Sequence, residues 1–438
     1  MTVRTRFAPS PTGHVHIGNM RAAIFNWLFA RHHGGRFLLR VEDTDRERST
    51  PEACRTLLEA MAWLGMEPDE PPMYQSSRRQ AHRAVAERLV AMGHAHREDK
   101  GSTGRGECIV FSMPREDIVF DDVVKGRLVK AAADLQDFVI VRSDGTPVFH
   151  LANVLDDIEM GVTHIIRGDD HVENTFRHIA LFRALGAQVP RYAHLPMIVN
   201  AQGKPYSKRD GDAYVGQFRD RGILPDALFN YLALLGWSPG DGREVMTREE
   251  MVERFTLERV QSSPAQFDLT KLLWMNGEHM RRLPVEQRLA GHMADLERHG
   301  LRPSKGELRR VLDVMQDRIK VFSDTAGQTR YFFDEDYPFD EAAVRKRLRK
   351  PGVPERMAEL GRRWAAAPAF DAATLERILK ETAAEDGRPP ADLIHATRVA
   401  VSGTSAGPGL FAMLEVLGRE RVTARIERAL RRWVGGGG

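Results

Sequence analysis

The first 41 residues of the chain combine two predicted strands and a predicted helix, and this order restricts the fold to the α/β class. Residues 2–7 alternate in character as a strand does, and two prolines and a glycine then interrupt the chain within 9–13. Apolar residues recur at helical spacing over 20–28, and a glycine pair at 34–35 precedes the apolar run 36–41. The pattern predicts a βαβ unit. Its first loop would lie at the carboxyl end of a parallel strand, where open α/β sheets bind ligands.

Two histidines, His14 and His16, lie in this loop directly before the predicted helix start at Gly18 and Asn19. Backbone N–H groups and the helix dipole favour a phosphate at a helix amino terminus. A histidine beside it can stabilise charge that develops on a transferring phosphoryl group. The alternative interpretation is a proline-rich surface turn whose histidines have no such function.

The stretch 6–21 resembles the HIGH signature of the class I aminoacyl-tRNA synthetases, in particular that of the bacterial glutamyl-tRNA synthetases. Its centre is His16-Ile17-Gly18-Asn19, with asparagine where the signature has its second histidine. The similarity continues through residues 42–45.

A second segment, residues 204–209, has the sequence KPYSKR and resembles the KMSKS signature in its family form, Lys-x-x-Ser-Lys-Arg. A mobile loop with Lys204 and Lys208 at this spacing can close over a triphosphate and hold the departing pyrophosphate. Alone, such a segment is also typical of an ordinary basic turn. Its pairing with the His16 loop favours the functional interpretation.

The resemblance implies a set of site residues. Catalysis is assigned to His14, His16, Lys204 and Lys208. Glutamate binding is assigned to Arg6, Ser10, Glu42, Phe149, Asn153 and Arg167. ATP binding is assigned to Gly18, Asn19, Asp170, His171, Val199, Lys204, Ser207, Lys208 and Arg209.

The chemistry of glutamate agrees with these assignments. Arginine suits the two carboxylates because its planar fork donates paired hydrogen bonds, and Glu42 would match the ammonium charge. Phe149 stands where the family has tyrosine, so a hydroxyl is missing from the pocket. The sequence leaves two alternatives open: Phe149 could be a core residue, and Asp157 with Arg167 could form a structural ion pair.

The predicted fold is α/β, with a Rossmann-like, doubly wound parallel-sheet catalytic domain that carries a short connective insertion, followed by an all-α stem-contact and anticodon-binding region. The catalytic domain is predicted in two halves, at 1–93 and 131–222, with the acceptor-binding insertion between them at 94–130. The stem-contact domain is predicted at 223–330 and the anticodon-binding domain at 331–438.

Three expectations concern individual elements of this fold. The catalytic sheet is expected to resume at 138–142 and to continue, after a turn, to 147–157. Its last strand is expected at 192–199. One of the later helices is expected at 305–323.

Composition limits the class of protein. The 438 residues have a net charge of +3 and contain no run approaching the roughly 20 apolar residues of a membrane span. Two cysteines, Cys54 and Cys108, cannot build a four-cysteine zinc site. Some members of the family carry a cysteine zinc knuckle in the insertion, where this chain retains only Cys108, so the resemblance implies no zinc, and no protein-held metal is expected. Mg²⁺ is expected only with ATP. We further predict a monomer, a cytoplasmic location, and tRNA, ATP and L-glutamate as partners.

The resemblance implies a glutamate–tRNA ligase that activates L-glutamate with ATP and charges tRNA-Glu, forming AMP and pyrophosphate. An alternative is a non-discriminating or paralogous ligase that charges tRNA-Gln with glutamate. The short insertion and the departures at Phe149 and Pro205-Tyr206 motivate it. A third hypothesis, an enzyme that glutamylates a modified tRNA base, conflicts with the helical carboxyl-terminal region. A fourth, a non-catalytic tRNA-binding paralogue, conflicts with the intact histidine and lysines.

Overall fold

The computed structural model describes residues 2–11, 13–44, 49–99, 106–207, 209–385 and 387–433. The chain divides into two compact units, Met1–Met275 and Asn276–Gly438. The finer division into five segments remains a prediction.

The first unit contains both strands and helices. Its strands are β1 (Arg4–Phe7), β2 (Arg36–Val41), β3 (Met73–Tyr74), β4 (Ala95–Asp99), β5 (Glu107–Phe111), β6 (Ile118–Asp122), β7 (Gly126–Lys130), β8 (Phe138–Val141), β9 (His164–Gly168), β10 (Arg191–Leu195), β11 (Ile198–Val199) and β12 (Ala265–Gln266). Its helices are α1 (Ile17–His32), α2 (Pro51–Trp63), α3 (Arg79–Ala91), α4 (Phe149–Glu159), α5 (Val172–Ala184), α6 (Val215–Asp220), α7 (Pro225–Leu234) and α8 (Arg248–Arg254), and α9 (Leu269–Arg282) crosses the unit boundary.

Parallel pairing dominates the part of the first unit that forms the candidate site. β1 pairs with β2, β2 with β3, and β10 with β9, all in parallel. The Thr163 N–H donates to the Arg4 carbonyl over 2.9 Å, which joins the β9 end of the sheet to β1. The predicted βαβ start is confirmed, because β1, α1 and β2 follow one another with β1 and β2 in parallel. The carboxyl ends of these strands therefore meet at one edge of the sheet.

The predicted insertion is built largely of strands. β4 and β5 pair antiparallel, and β8 joins β5 antiparallel, so the expectation that residues 138–142 resume the parallel sheet is wrong. β6 and β7 form a hairpin, and β6 extends the catalytic sheet by pairing in parallel with β10. The second half of the insertion is thus continuous with the sheet that carries β9 and β10.

Two further expectations differ from the structure for local physical reasons. Residues 149–159 form helix α4 rather than strand, because apolar side chains at Leu151, Val154 and Ile158 repeat at helical spacing and pack into one core. The predicted strand 192–199 divides into β10 and β11 around Pro196. Proline has no N–H to donate to a ladder, and β11 pairs instead with β12.

The second unit is helical within the described residues. Its helices are α10 (Val285–Arg298), α11 (Lys305–Met315), α12 (Thr325–Phe333), α13 (Glu341–Ala343), α14 (Val353–Ala365), α15 (Ala372–Ala384), α16 (Pro390–Ser402), α17 (Leu410–Leu417) and α18 (Arg419–Trp433). α11 is shorter than the predicted helix 305–323, because Gln316 adopts a φ of 49°, which no right-handed helix accommodates. In the portion of the chain covered by the structure, no helix has the length and apolar character needed to cross a membrane.

Candidate active site

A cleft of about 760 Å³ lies at the carboxyl ends of β1, β2, β9 and β10 in the first unit. It gathers predicted residues that are up to 165 positions apart in the chain, namely Arg6, Ser10, His16, Gly18, Asn19, Glu42, Phe149, Asn153, Arg167, Asp170 and His171. The strand ends and the start of α1 carry most of them, as the parallel topology requires.

Several predicted residues do not line this cleft. They are His14, Val199, Lys204, Ser207 and Arg209. His14 is exposed, with its ring 5.1 Å from that of Tyr214, and Val199 is buried in β11. The prediction for Lys208 lies outside the described residues.

His16 is positioned by the helix that it begins. Its Nδ1 accepts the Gly18 N–H over 3.0 Å and so caps the amino terminus of α1. Burial lowers the pKa of His16, and a hydrogen bond to the backbone of Tyr206 opposes that shift. Because Nδ1 is an acceptor, the neutral ring carries its proton on Nε2. The Nε2–H donor therefore meets the Tyr206 backbone, beside a helix start whose Ile17 and Gly18 N–H groups bond to the Ala213 carbonyl and to His16 Nδ1.

The two signature segments lie side by side. The Ile17 N–H donates to the Ala213 carbonyl over 2.9 Å, and the Val215 N–H donates to the Val15 carbonyl over 3.1 Å. Tyr206, within the second signature, lines the cleft with His16. The loop that follows β11 is thus anchored on the loop that follows β1, about 190 residues earlier in the chain.

The second signature is also held by its own side chains. Asp210 Oδ2 accepts hydrogen bonds from the Ser207 N–H and hydroxyl, both over 2.9 Å. Asn200 Nδ2 donates to Asp210 Oδ1 over 2.7 Å. Lys204 and Arg209 remain exposed on this loop. The charged groups of Lys204 and Arg209 are therefore accessible to a ligand that extends beyond the part of the cleft around His16.

Arg6 and Arg40 form a compensated buried cluster with two carboxylates. Arg6 Nε donates to Asp157 Oδ1 over 2.9 Å, and Arg40 bonds to both Asp157 and Glu42. Burial alone would raise the pKa of Asp157, but Arg40 and Arg6 lower it below its usual value. The alternative pairing of Asp157 with Arg167 is not what the structure shows. Arg6 thus reaches the cleft with its charge already balanced.

Arg167 differs from these arginines in its partners. Its Nη2 donates to Thr175 Oγ1 over 2.8 Å and to the His171 carbonyl over 3.3 Å, and its Nε lies 3.4 Å from His194 Nε2. Among the residues that the structure describes, no carboxylate pairs with this guanidinium. Burial lowers the pKa of Arg167 to about 10, so the group still carries its charge at neutral pH. A buried cation that faces a cleft without a counter-ion is a site for an anionic ligand.

Glu42 supplies the opposite charge on the same cleft. Its Oε1 accepts from Arg40 over 3.1 Å and from Asn153 Nδ2 over 2.8 Å. Burial raises the pKa of Glu42, although the Arg40 charge counteracts the shift. Asn153 Oδ1 is buried without a hydrogen-bond partner among the described residues. The cleft therefore offers acceptors for an ammonium group at one point and, at another, the Arg167 guanidinium, which has no carboxylate partner among the described residues.

Phe149 lines the cleft and is only half-buried, so the alternative of a core residue is not what the structure shows. Its ring stacks on that of His171, with centroids 6.0 Å apart, and lies 5.7 Å from the buried ring of His178. An apolar surface therefore stands where the resemblance leads one to expect a hydroxyl.

Sequence reasoning missed several residues that line the cleft, namely Arg21, Asp169, Asn174 and Tyr206. Arg21 is buried on α1 and donates to the Leu235 carbonyl over 3.2 Å and to the Pro196 carbonyl. Burial lowers the pKa of Arg21 to about 10, while the Asp169 charge acts in the opposite direction. Arg21 follows Gly18 by three residues and so lies on the same face of the helix. This spacing was the one sequence signal that could have identified Arg21 as a cleft residue.

No group of three or more histidine, cysteine, aspartate or glutamate side chains in the described part of the chain could hold a metal ion. Cys54 is half-buried, and Cys108 is buried with its thiol donating to the Glu98 carbonyl over 3.2 Å. Neither cysteine lines the cleft.

Comparison with known proteins supports this description. Residues 2–104 and 97–274 match the family model for the catalytic domain of class I tRNA synthetases (E and Q), and residues 287–430 match an anticodon-binding domain. These matches and the observed parallel sheet confirm the predicted fold class.

Curated relatives match over almost the whole chain. A protein from Koribacter versatilis (strain Ellin345) named glutamate–tRNA ligase 2 is 40% identical, with 98% of each chain covered. The glutamate–tRNA ligase of Methylacidiphilum infernorum (isolate V4) is 39% identical at the same coverage. A crystal structure of a glutamate tRNA ligase from Elizabethkingia meningosepticum CCUG26117, in complex with its amino acid, superposes with a TM-score of 0.85 at 29% identity, covering 99% of this chain and 100% of that one.

Proposed function

Because the chain belongs to the glutamate–tRNA ligases within the class I tRNA synthetases, we propose that it activates L-glutamate with ATP and transfers it to the 3′ end of tRNA-Glu. The observation that carries the proposal is the charge pattern of the cleft. Arg167 is a buried cation with no carboxylate partner among the described residues, and Glu42 is a buried acid on the same surface. Glutamate presents the complementary pattern of two carboxylates and one ammonium.

In the proposed complex, Arg167 and Arg6 receive carboxylate oxygens of the substrate through paired N–H donors. Glu42 matches the ammonium charge, Ser10 lies at the same end, and the unpartnered Asn153 Oδ1 provides a further acceptor. Arg167 contributes more binding energy than Arg6, because the Arg6 charge is already neutralised by Asp157.

ATP enters as its magnesium complex, with its phosphates at the start of α1. The glutamate α-carboxylate oxygen attacks the α-phosphorus in line, the bond to the bridging oxygen breaks, and pyrophosphate leaves. His16 Nε2–H, exchanging the Tyr206 backbone for the phosphate, and the Asn19 N–H stabilise the charge that develops on the α-phosphate. Gly18, whose N–H is held by His16 Nδ1, adds no side chain at the helix start.

The remaining predicted residues complete this proposal for ATP and the reaction. Lys204, Lys208 and Arg209, with Ser207, hold the pyrophosphate portion through movement of their loop, and His14 assists from the loop edge. Asp170 and His171, which line the cleft, receive the nucleoside, and the resemblance adds Val199, which is buried in β11 and does not line the cleft. No side chain acts as a covalent nucleophile. The tRNA terminal hydroxyl then attacks the adenylate carbonyl carbon and releases AMP.

The second unit is proposed to bind the tRNA anticodon, since residues 287–430 match an anticodon-binding domain. By the same proposal, residues 223–330 contact the stem, and 94–130 meet the acceptor end. Unstacked anticodon bases are the part of an RNA that proteins read most directly. We further infer a monomer and a cytoplasmic location from this role in protein synthesis.

Phe149→Tyr is expected to lower KM for glutamate about fivefold, because one added hydroxyl in the pocket contributes about 1 kcal/mol when it finds a partner. ATP–pyrophosphate exchange with saturating tRNA measures the effect. Phe370→Tyr, a change at a half-buried ring of the second unit that lies under Arg419, serves as the matched control and is expected to leave KM unchanged. An unchanged KM in Phe149→Tyr would show that the missing hydroxyl has no role in this chain.

Charging of purified tRNA-Glu and tRNA-Gln with labelled glutamate tests the proposed function. We expect glutamyl-tRNA-Glu in amounts that depend on ATP, and negligible product on tRNA-Gln. Substantial product on tRNA-Gln would establish the non-discriminating activity. Charging with glutamine or aspartate but not with glutamate would overturn the proposal.

A further inference from the structure

A directed chain of hydrogen bonds connects the Arg167 guanidinium to the β6–β7 hairpin. Arg167 Nη2 donates to Thr175 Oγ1 over 2.8 Å. Thr175 Oγ1 lies 3.0 Å from His194 Nε2, and His194 Nδ1 lies 2.6 Å from Asp122 Oδ2. All four side chains are buried. The chain thus begins at a cation in the cleft and ends at a carboxylate on the hairpin.

Asp122 sets the direction of this chain. Its Oδ1 accepts the N–H groups of Val124 and Lys125 over 2.9 Å and 2.8 Å, so the carboxylate is held as an acceptor at the turn. Burial alone would raise the pKa of Asp122, but the hydrogen bond with His194 lowers it, which keeps the group ionised. Burial lowers the pKa of His194, which is therefore neutral. Two acceptors cannot face each other at 2.6 Å, so the single ring proton of His194 lies on Nδ1.

With the proton on Nδ1, His194 Nε2 is an acceptor. The Thr175 hydroxyl, whose oxygen accepts from Arg167 Nη2, donates either to this nitrogen or to the His171 carbonyl, which lies 3.2 Å away. His194 Nε2 also faces the Arg167 Nε–H at 3.4 Å. If the proton lay on Nε2 instead, the Thr175 hydroxyl would turn to the His171 carbonyl, the Arg167 Nε–H would face a donor, and the guanidinium would lose this acceptor and shift. We therefore propose that Asp122, acting through His194 and Thr175, positions Arg167 to receive a substrate carboxylate, an inference that rests on the proposed function.

This arrangement explains how a cation remains available in a buried pocket. A carboxylate in direct contact would neutralise Arg167, as Asp157 does for Arg6. A neutral relay of imidazole and hydroxyl orients the guanidinium and places the compensating charge one ring away. Asp122 is thus a positioning residue supplied by the segment that sequence reasoning assigned to the acceptor-binding insertion.

The test uses the full-length chain and the variant Asp122→Asn. Asparagine keeps an oxygen for the N–H groups of Val124 and Lys125, but its amide nitrogen turns a donor toward His194 Nδ1 and forces the ring proton onto Nε2. We expect KM for glutamate to rise about tenfold or more, as losses of such supporting hydrogen bonds do elsewhere, with KM for ATP and the melting temperature nearly unchanged. Asp121→Asn, the exposed neighbour on β6, is the matched control and is expected to match the wild type.

Rescue separates positioning from a structural role. His194→Gln places an amide oxygen near the position of Nε2. This oxygen can accept from Thr175 whether position 122 holds aspartate or asparagine. The double variant Asp122→Asn/His194→Gln is therefore expected to recover the glutamate KM of His194→Gln alone. A structural role of Asp122 in the hairpin turn would not be rescued in this way.

Three results would overturn the inference while leaving the proposed function intact: an unchanged glutamate KM in Asp122→Asn, an equal loss in every kinetic parameter, or no recovery in the double variant. If Asp122→Asn does not fold, Thr175→Val breaks the same chain away from the hairpin, and an unchanged glutamate KM there would equally overturn it. If the wild-type chain activates no glutamate, the proposed function fails and the positioning role fails with it.

Discussion

Replacing Arg167 by methionine is expected to lower kcat/KM for glutamate about 100- to 1,000-fold, because truncating one partner of a buried charge pair costs about 3–4 kcal/mol. The loss should appear mainly in KM, since the guanidinium binds a carboxylate that does not change charge during activation. Methionine fills a similar volume without a charge, and such replacements of buried charges are often tolerated by the fold. ATP–pyrophosphate exchange at varied glutamate, with saturating ATP and tRNA, measures the effect.

Two companion variants sharpen this experiment. Arg167→Lys keeps the charge but loses the planar fork, and we expect a smaller loss than with methionine. Arg183→Met removes an exposed arginine of the neighbouring helix α5 and is expected to leave KM for glutamate unchanged. A wild-type KM in Arg167→Met, with the variant folded, would contradict the assignment of Arg167 to the substrate carboxylate.

His16→Asn is expected to lower kcat for glutamate activation about 100- to 1,000-fold, the usual effect of removing one donor that stabilises transition-state charge. Asparagine is an effective N-cap, so its oxygen can still accept the Gly18 N–H and α1 should remain intact. What it removes is the Nε2–H donor. KM for glutamate should change little, because the lost interaction forms as the α-phosphate reacts.

The pKa of His16 gives this role a pH signature. Because burial lowers that pKa below 6.5, the neutral ring persists to more acidic pH than an ordinary histidine. Protonation of Nδ1 would break the cap to Gly18, so activity should fall only when the pH drops below the lowered pKa. His96→Asn, on an exposed strand of the same unit, is the control. Full activity in His16→Asn would rule out His16 as a phosphate-stabilising donor.

Local sequence was sufficient to predict the features that depend only on neighbouring residues. The strand, loop and helix around His16 follow from the proline and glycine positions and the apolar periodicity within about forty residues. The signature at 204–209 could be identified from its amino-acid sequence alone. The prediction was wrong where a short apolar run fits two structures. Residues 149–159 are a helix because the spacing of Leu151, Val154 and Ile158 faces a core formed by other parts of the chain.

Electrostatic roles required the tertiary structure. Arg6 and Arg167 were both assigned to glutamate from the sequence, yet only the fold shows that Asp157 neutralises the first and leaves the second without a carboxylate partner among the described residues. The pairing of β6 with β10 likewise brings Asp122 to His194, which lies 72 positions away. No local pattern records such a contact.

The sequence by itself determined the family, the α/β start and the two signature segments, because short-range periodicity and motif spacing depend on adjacent residues alone. Only the tertiary structure decided which charges are compensated, which insertion strand joins the catalytic sheet and which imidazole nitrogen carries a proton. Those properties depend on burial and on distances between segments far apart in the chain, and the free energy of a charge is set by the neighbours that folding brings to it.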